Sequence, residues 1–114
     1  MATPAQIEGK TVEELRTMRT LMNGTRWLLE LEEEDEATRQ DAALQKLRVH
    51  HAIMKLENAK LRDIRDKLVE NEADLEAGRQ RLVSARQNLD DAKAVIEALG
   101  AFLKVVGRVA ALII

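Results

Sequence analysis

Residues 44–99 read LQKLRVHHAIMKLENAKLRDIRDKLVENEADLEAGRQRLVSARQNLDDAKAVIEAL and place a large apolar side chain at every seventh position. This column consists of Leu47, Met54, Leu61, Leu68, Leu75, Leu82, Leu89 and Ile96. A sustained seven-residue apolar repeat is typical of a left-handed coiled coil, in which each helix buries its column against another helix. The stretch therefore predicts an all-α protein built around one long coiled-coil helix over 42–99, about 80 Å long at about 1.5 Å per residue.

A second column lies three residues after the first and begins with the polar residues His50 and Glu57. We assign its later members to the same seam: Ile64, Asn71, Gly78, Ala85, Ala92 and Leu99. The small residues among them predict a place where a second backbone approaches closely. Asn71 is either a buried amide that sets helix register or oligomer number, or a solvent-facing residue at a weak position.

Charge is distributed in blocks along the chain. Residues 26–41 carry seven acids and two bases, whereas residues 44–69 carry seven bases and three acids. Blocks of opposite sign favour an arrangement in which they meet. We therefore expect the N-terminal helices to pack back along the start of the long helix, as a helical hairpin or bundle. Parallel bundling of the long helix between copies is the alternative. The long apolar stripe needs a partner helix, from this chain or from another copy, and predicts a homo-oligomer unless the chain folds back fully on itself.

The N-terminal third predicts short helices. Residues 1–10 predict a flexible arm, and the sequence TVEE that follows has the form of a capping box opening a helix at Thr11. Asn23–Gly24 predicts the end of that helix, because both residues tolerate the left-handed conformation of a C-cap. A second short helix and an acidic run, Glu32–Glu36, complete the region 11–41, and the run predicts a solvated face or a helix junction.

The C-terminal segment 100–114 predicts an amphipathic helix with a wide apolar sector beside the charged residues Lys104 and Arg108. The residues that we assign to docking are Phe102, Leu103, Val106, Val109, Leu112 and Ile113. One predicted fate is burial against copies of the chain or a larger host assembly. The other is an interfacial membrane helix. A helix that spans the membrane needs about twenty apolar residues, and this shorter, charged segment does not provide them. A separate docking helix also predicts that removal of 101–114 leaves the coiled coil folded.

No motif of catalysis or cofactor binding accompanies these patterns. The chain has no cysteine, a single serine and no glycine-rich phosphate loop. His50 and His51 are adjacent and point about 100° apart on a helix, which does not suit a shared metal ion. The basic residues lack the interleaved aromatic side chains that stack on single-stranded nucleic acid. We therefore predict no enzyme, no cofactor, no metal, no small-molecule substrate and no nucleic-acid partner.

The general plan, a charged coiled coil followed by a short apolar helix, resembles that of small phage or prophage accessory and virion-assembly proteins. The resemblance lies in architecture and carries no site residues. The sequence predicts a non-catalytic structural or adaptor protein that self-associates and docks into a larger assembly. The alternative is a membrane-associated accessory protein anchored peripherally by its C-terminal helix. The N-terminus shows no apolar segment typical of a secretory signal, which predicts a location in the cytoplasm or within a virion or assembly.

Overall fold

The first helix begins earlier than the sequence predicts. In the computed structural model, which describes residues 2–111, α1 spans Pro4–Met22. Thr3 caps it: the Thr3 hydroxyl accepts from the Gln6 amide at 3.2 Å, and the Gln6 side chain accepts from the Thr3 amide at 2.9 Å. The Thr11 hydroxyl donates instead to the Ile7 carbonyl. Most of the predicted flexible arm is thus replaced by helix, because proline suits the first helical turn and a capping box precedes it.

The two junctions that follow lie where the sequence places them. Helix α1 ends before Asn23–Gly24, and α2 spans Thr25–Glu32. None of the described residues has a positive φ, so this turn forms without the left-handed conformation expected of it. The acidic run forms the junction to α3, Glu36–Asn58. Asp35 caps α3 by accepting from the Thr38 amide at 2.8 Å, and hydrogen bonding to Thr38 lowers the pKa of Asp35.

The segment 42–99, predicted as one long helix, is divided among four helices. After α3 come α4 (Leu61–Glu70), α5 (Glu72–Arg86) and α6 (Ala92–Val109). The greatest extent of the fold is 43 Å, about half the length predicted for the uninterrupted helix. The all-α prediction is confirmed, and the coiled coil is not.

A weak second column explains why the long helix does not persist. His50 and Glu57 leave the early part of the predicted seam with a single apolar row, which is too narrow to hold two long helices together. Breaks at Ala59–Lys60, at Asn71 and over 87–91 let later helices bury their apolar sides against each other within the chain. The seven-residue repeat is present in spite of the breaks because most of the later residues of the column are buried in the interior of the fold.

Helix α6 lies at the centre of the fold. It packs mainly against α5 and α3 and also contacts α4 and α2, while α1 packs across α3, α4 and α5. The expected packing of an N-terminal helix against the start of the predicted long helix is therefore present. Its cause differs from the expected one, because no ion pair among residues 2–111 joins the acidic block 26–41 to the basic block 44–69. Burial of apolar side chains accounts for the packing instead.

Helices α5 and α6 approach each other closely at Gly78. A Cβ atom added at Gly78 would lie 2.9 Å from Cδ1 of Phe102 and 3.7 Å from its Cα atom. A glycine at this point is therefore what allows the Phe102 ring to reach the axis of α5. The close approach predicted for the small residues of the seam occurs here, between two helices of one chain.

Candidate functional site

Helix α3 carries apolar side chains on two opposite faces. The face toward the protein interior is formed by Ala42, Gln45, Val49, Ala52, Ile53 and Leu56, all buried. On the opposite side Leu44, Leu47 and Met54 are exposed by 37%, 60% and 48%. Together with the half-buried His51 they follow the spacing of three, four and three residues that puts side chains on one side of a helix. We call these four residues the outer stripe.

The two ends of the outer stripe differ in charge. Six acids and one base lie in residues 32–41, before the stripe begins. Residues 42–60, which contain the stripe and the turn after it, hold four bases and one acid. Glu36 at one end and Lys60 at the other are exposed. Helix α3 is roughly 33 Å long, so the charges at its two ends are too far apart to pair within one copy of the helix.

The residues predicted for the seam are divided between surface and interior. Leu47, Met54 and Leu61 are exposed. The buried members are Ile64, Leu68, Asn71, Leu75, Leu82, Ala92, Ile96 and Leu99, and those of intermediate burial are Gly78, Ala85 and Leu89. The interior members pack within a single chain, so they are unavailable to a second copy. Asn71 is buried, and its side-chain amide donates to the Lys67 carbonyl at the break between α4 and α5.

Within the described residues, the docking surface predicted on α6 is not exposed in the fold. Phe102, Leu103, Val106 and Val109 are all buried in the protein's own core, while Leu112 and Ile113 lie outside the described residues. The polar side of α6 was predicted correctly, since Lys104 and Arg108 are exposed. The wide apolar sector reflects contact with several helices at once, which a central helix requires. Among residues 2–111, none of the helices combines the length and apolarity needed to cross a bilayer.

A charged cluster joins α1 to α5. The Glu14 carboxylate is 3% exposed and accepts hydrogen bonds from the Arg86 guanidinium, which is 24% exposed. A buried carboxylate of this kind is stable only with a partner, because an unpaired charge in the interior costs several kcal/mol. One signal in the sequence pointed to it: Glu14 interrupts the apolar side of α1, between Thr11 and Met18. Sequence reasoning missed the pair because its partner lies 72 residues away.

The second ion pair of this cluster is more exposed. The Arg79 guanidinium donates to both oxygens of Glu76, at 2.7 and 3.1 Å, and Gln80 donates to the same carboxylate. These hydrogen bonds, that of Arg79 first, lower the pKa of Glu76 to about 2. Both carboxylates of the cluster are paired with arginines, and the Glu14–Arg86 pair joins α1 to α5.

Sequence reasoning assigned no metal ligands, and the described residues contain no group of three His, Cys, Asp or Glu side chains placed to share an ion. His50 is exposed and His51 half-buried, as their adjacent positions on a helix require. The Nδ1 atom of His51 is buried without a hydrogen-bond partner.

The outer stripe combines exposure with members of the predicted seam, and the seam residue Leu61 is exposed as well, on α4. In the outer stripe, Leu47 and Met54 were found through the seven-residue repeat, and Leu44 was missed because it lies outside both columns. No family model matches the sequence, and no curated protein and no solved structure shows significant similarity to it. The described residues form an all-α protein in which α3 carries an exposed apolar face.

Proposed function

We propose that the chain is a non-catalytic structural or adaptor protein that self-associates through the outer stripe of α3. The observation that carries this proposal is the alignment of Leu44, Leu47 and Met54 on the face of α3 opposite its buried face. Single exposed apolar residues are common on protein surfaces. Helix α3 buries one apolar side in the core of its own chain. Its second apolar side is exposed, and exposed apolar faces of this kind mark contacts with other chains.

The surface proposed here differs from the one predicted by the sequence. The apolar sector of α6 is part of the core, so its use in docking or in membrane anchoring would require the fold to open. The outer stripe is accessible without any such change. A role in a larger assembly, such as a virion, is compatible with self-association and rests on architecture alone.

The non-catalytic part of the proposal is supported by the state of the polar groups. The buried carboxylate of Glu14 and the low-pKa carboxylate of Glu76 are both engaged by arginines. The one serine, Ser84, is exposed on α5. A catalytic group would instead lie beside a nucleophile or a proton acceptor in a protected pocket.

Sedimentation equilibrium over about 1–200 µM protein tests this function at the concentrations where small interfaces assemble. The wild-type chain should gain mass with concentration, and Leu47→Glu should remain a monomer with unchanged circular dichroism. Leu29→Glu is the matched control, because Leu29 is similarly exposed, at 56%, but lies on α2. A wild-type chain that stays monomeric throughout, or an equal loss of association in both variants, would contradict the proposal.

A further inference from the structure

We infer that the occupant of the outer stripe is the same stripe of a second copy, bound antiparallel about a two-fold axis near residue 49. This inference rests on the proposed function and adds the partner's identity, orientation and register. It is carried by the distribution of charge along α3 together with the apolar stripe itself.

The charge at the two ends of α3 selects the orientation. An antiparallel pair keeps the two acidic blocks 32–41 at opposite ends of the interface, where each lies opposite residues 57–66 of the other copy, a segment with three bases and three acids. A parallel pair brings acid to acid and base to base. Among residues 2–111 the acidic block has no ion pair with the basic block 44–69, and Glu32, Glu33, Asp35 and Glu36 are all exposed. These side chains are therefore free to meet a second copy.

The spacing of the stripe fixes the register. Full overlap of two antiparallel stripes requires that the first residue, Leu44, lie opposite the partner's Met54. Leu47 then lies opposite the partner's His51, and the two Leu47 side chains approach the axis. Gln40 and Asn58 extend the stripe by four residues at its two ends, and both are exposed. In this register Gln40 lies opposite the partner's Asn58.

The size of the contact sets the expected affinity. A stable complex buries about 800 Å² on each partner. One face of a helix roughly 33 Å long supplies less than that. We therefore expect a reversible dimer with a dissociation constant of about 1–100 µM, typical of small interfaces.

Engineered disulfides test the orientation directly, because the natural chain contains no cysteine. Gln40→Cys and Asn58→Cys should form a covalent dimer when mixed under mild oxidation, and neither should do so alone. In the antiparallel register two copies of position 40 lie about 27 Å apart, far beyond disulfide reach. Cross-linking of each variant with itself, or none in the mixture, would overturn the inference.

Salt provides an independent readout on the unmodified chain. An antiparallel pair keeps the like-charged blocks apart, so the dissociation constant should stay within about threefold between about 50 mM and about 500 mM salt. A constant that falls by more than this with salt would show that like charges face each other and would overturn the antiparallel arrangement. The two proposals fail differently. A parallel dimer that Leu47→Glu dissociates keeps the proposed function and removes this inference, whereas a monomer at every concentration removes both.

Discussion

Gly78 and Gly9 form a matched pair of helical glycines with opposite surroundings. A Cβ atom at Gly9 meets nothing within 4 Å, whereas one at Gly78 would lie 2.9 Å from the Phe102 ring. Gly9→Ala should therefore raise the free energy of unfolding by about 0.5–1 kcal/mol through helix propensity. Gly78→Ala should lower it by about 1 kcal/mol, because overpacking costs about 1–3 kcal/mol and exceeds the same gain. Urea denaturation of both variants measures the difference, and equal stabilisation would show that α5 and α6 are not in close contact.

The Glu76–Arg79 pair gives stability a defined dependence on pH. The pKa of Glu76 is about 2 in the folded protein against an ordinary 4.5. Stability from this group is therefore fully present above about pH 4.5 and is lost as pH falls toward 2. Relative to Glu76→Gln, the wild-type chain should be more stable at pH 6, and this advantage should shrink through that window. Thermal denaturation from pH 6 to pH 2.5 follows the change. Glu70→Gln, at an exposed carboxylate of α4, should show no such trend, and a similar trend there would argue against the pair as the cause.

The seven-residue column is exposed on α3 and becomes buried within α4, and two leucines of this column, Leu47 and Leu68, can report the difference. Leu68 is 0% exposed on α4, and Leu47 is 60% exposed on α3. Leu68→Ala should lower the free energy of unfolding by about 2–5 kcal/mol. Leu47→Ala should change it by no more than about 0.5 kcal/mol in dilute solution, where α3 is unpaired. Chemical denaturation at low micromolar protein compares the two variants. Equal losses of stability would show that both leucines are buried in one continuous seam.

How far the sequence predicts these helices depends on where the deciding interaction lies. The junctions at Asn23–Gly24 and in the acidic run were predicted from local chemistry, and so was the polar side of α6. The breaks at Ala59–Lys60, at Asn71 and over 87–91 were not, because no proline or glycine marks them and only packing between distant segments makes them favourable. The apolar column showed which side of each helix seeks burial. It did not show whether the partner belongs to the same chain, since both arrangements bury the same side.

The same limit applies to the candidate site. The outer stripe was half visible in the sequence, through Leu47 and Met54. That these residues are exposed, while later members of the same column are buried, follows from the way α6 fills the centre of the fold. An apolar segment at a chain end is consistent with docking and with a core helix alike, and the choice depends on which other helices leave a space for it.

The stability of the whole molecule should depend on α6, whereas a separate docking helix could be removed without unfolding the rest of the chain. Phe102, Leu103, Val106 and Val109 are buried, and at about 1.5–3 kcal/mol each their loss amounts to roughly 6–12 kcal/mol. That is comparable with the total stability of a domain of this size, about 5–15 kcal/mol. Deletion of 101–114 should therefore abolish the cooperative thermal transition. Val109→Asp should do nearly the same, because an unpaired carboxylate in the core is costly. Ala111→Asp introduces the same charge two residues later at an exposed position and should leave the transition unchanged. A truncated chain that still melts cooperatively, with wild-type helicity by circular dichroism, would show that α1–α5 hold the fold without their central helix.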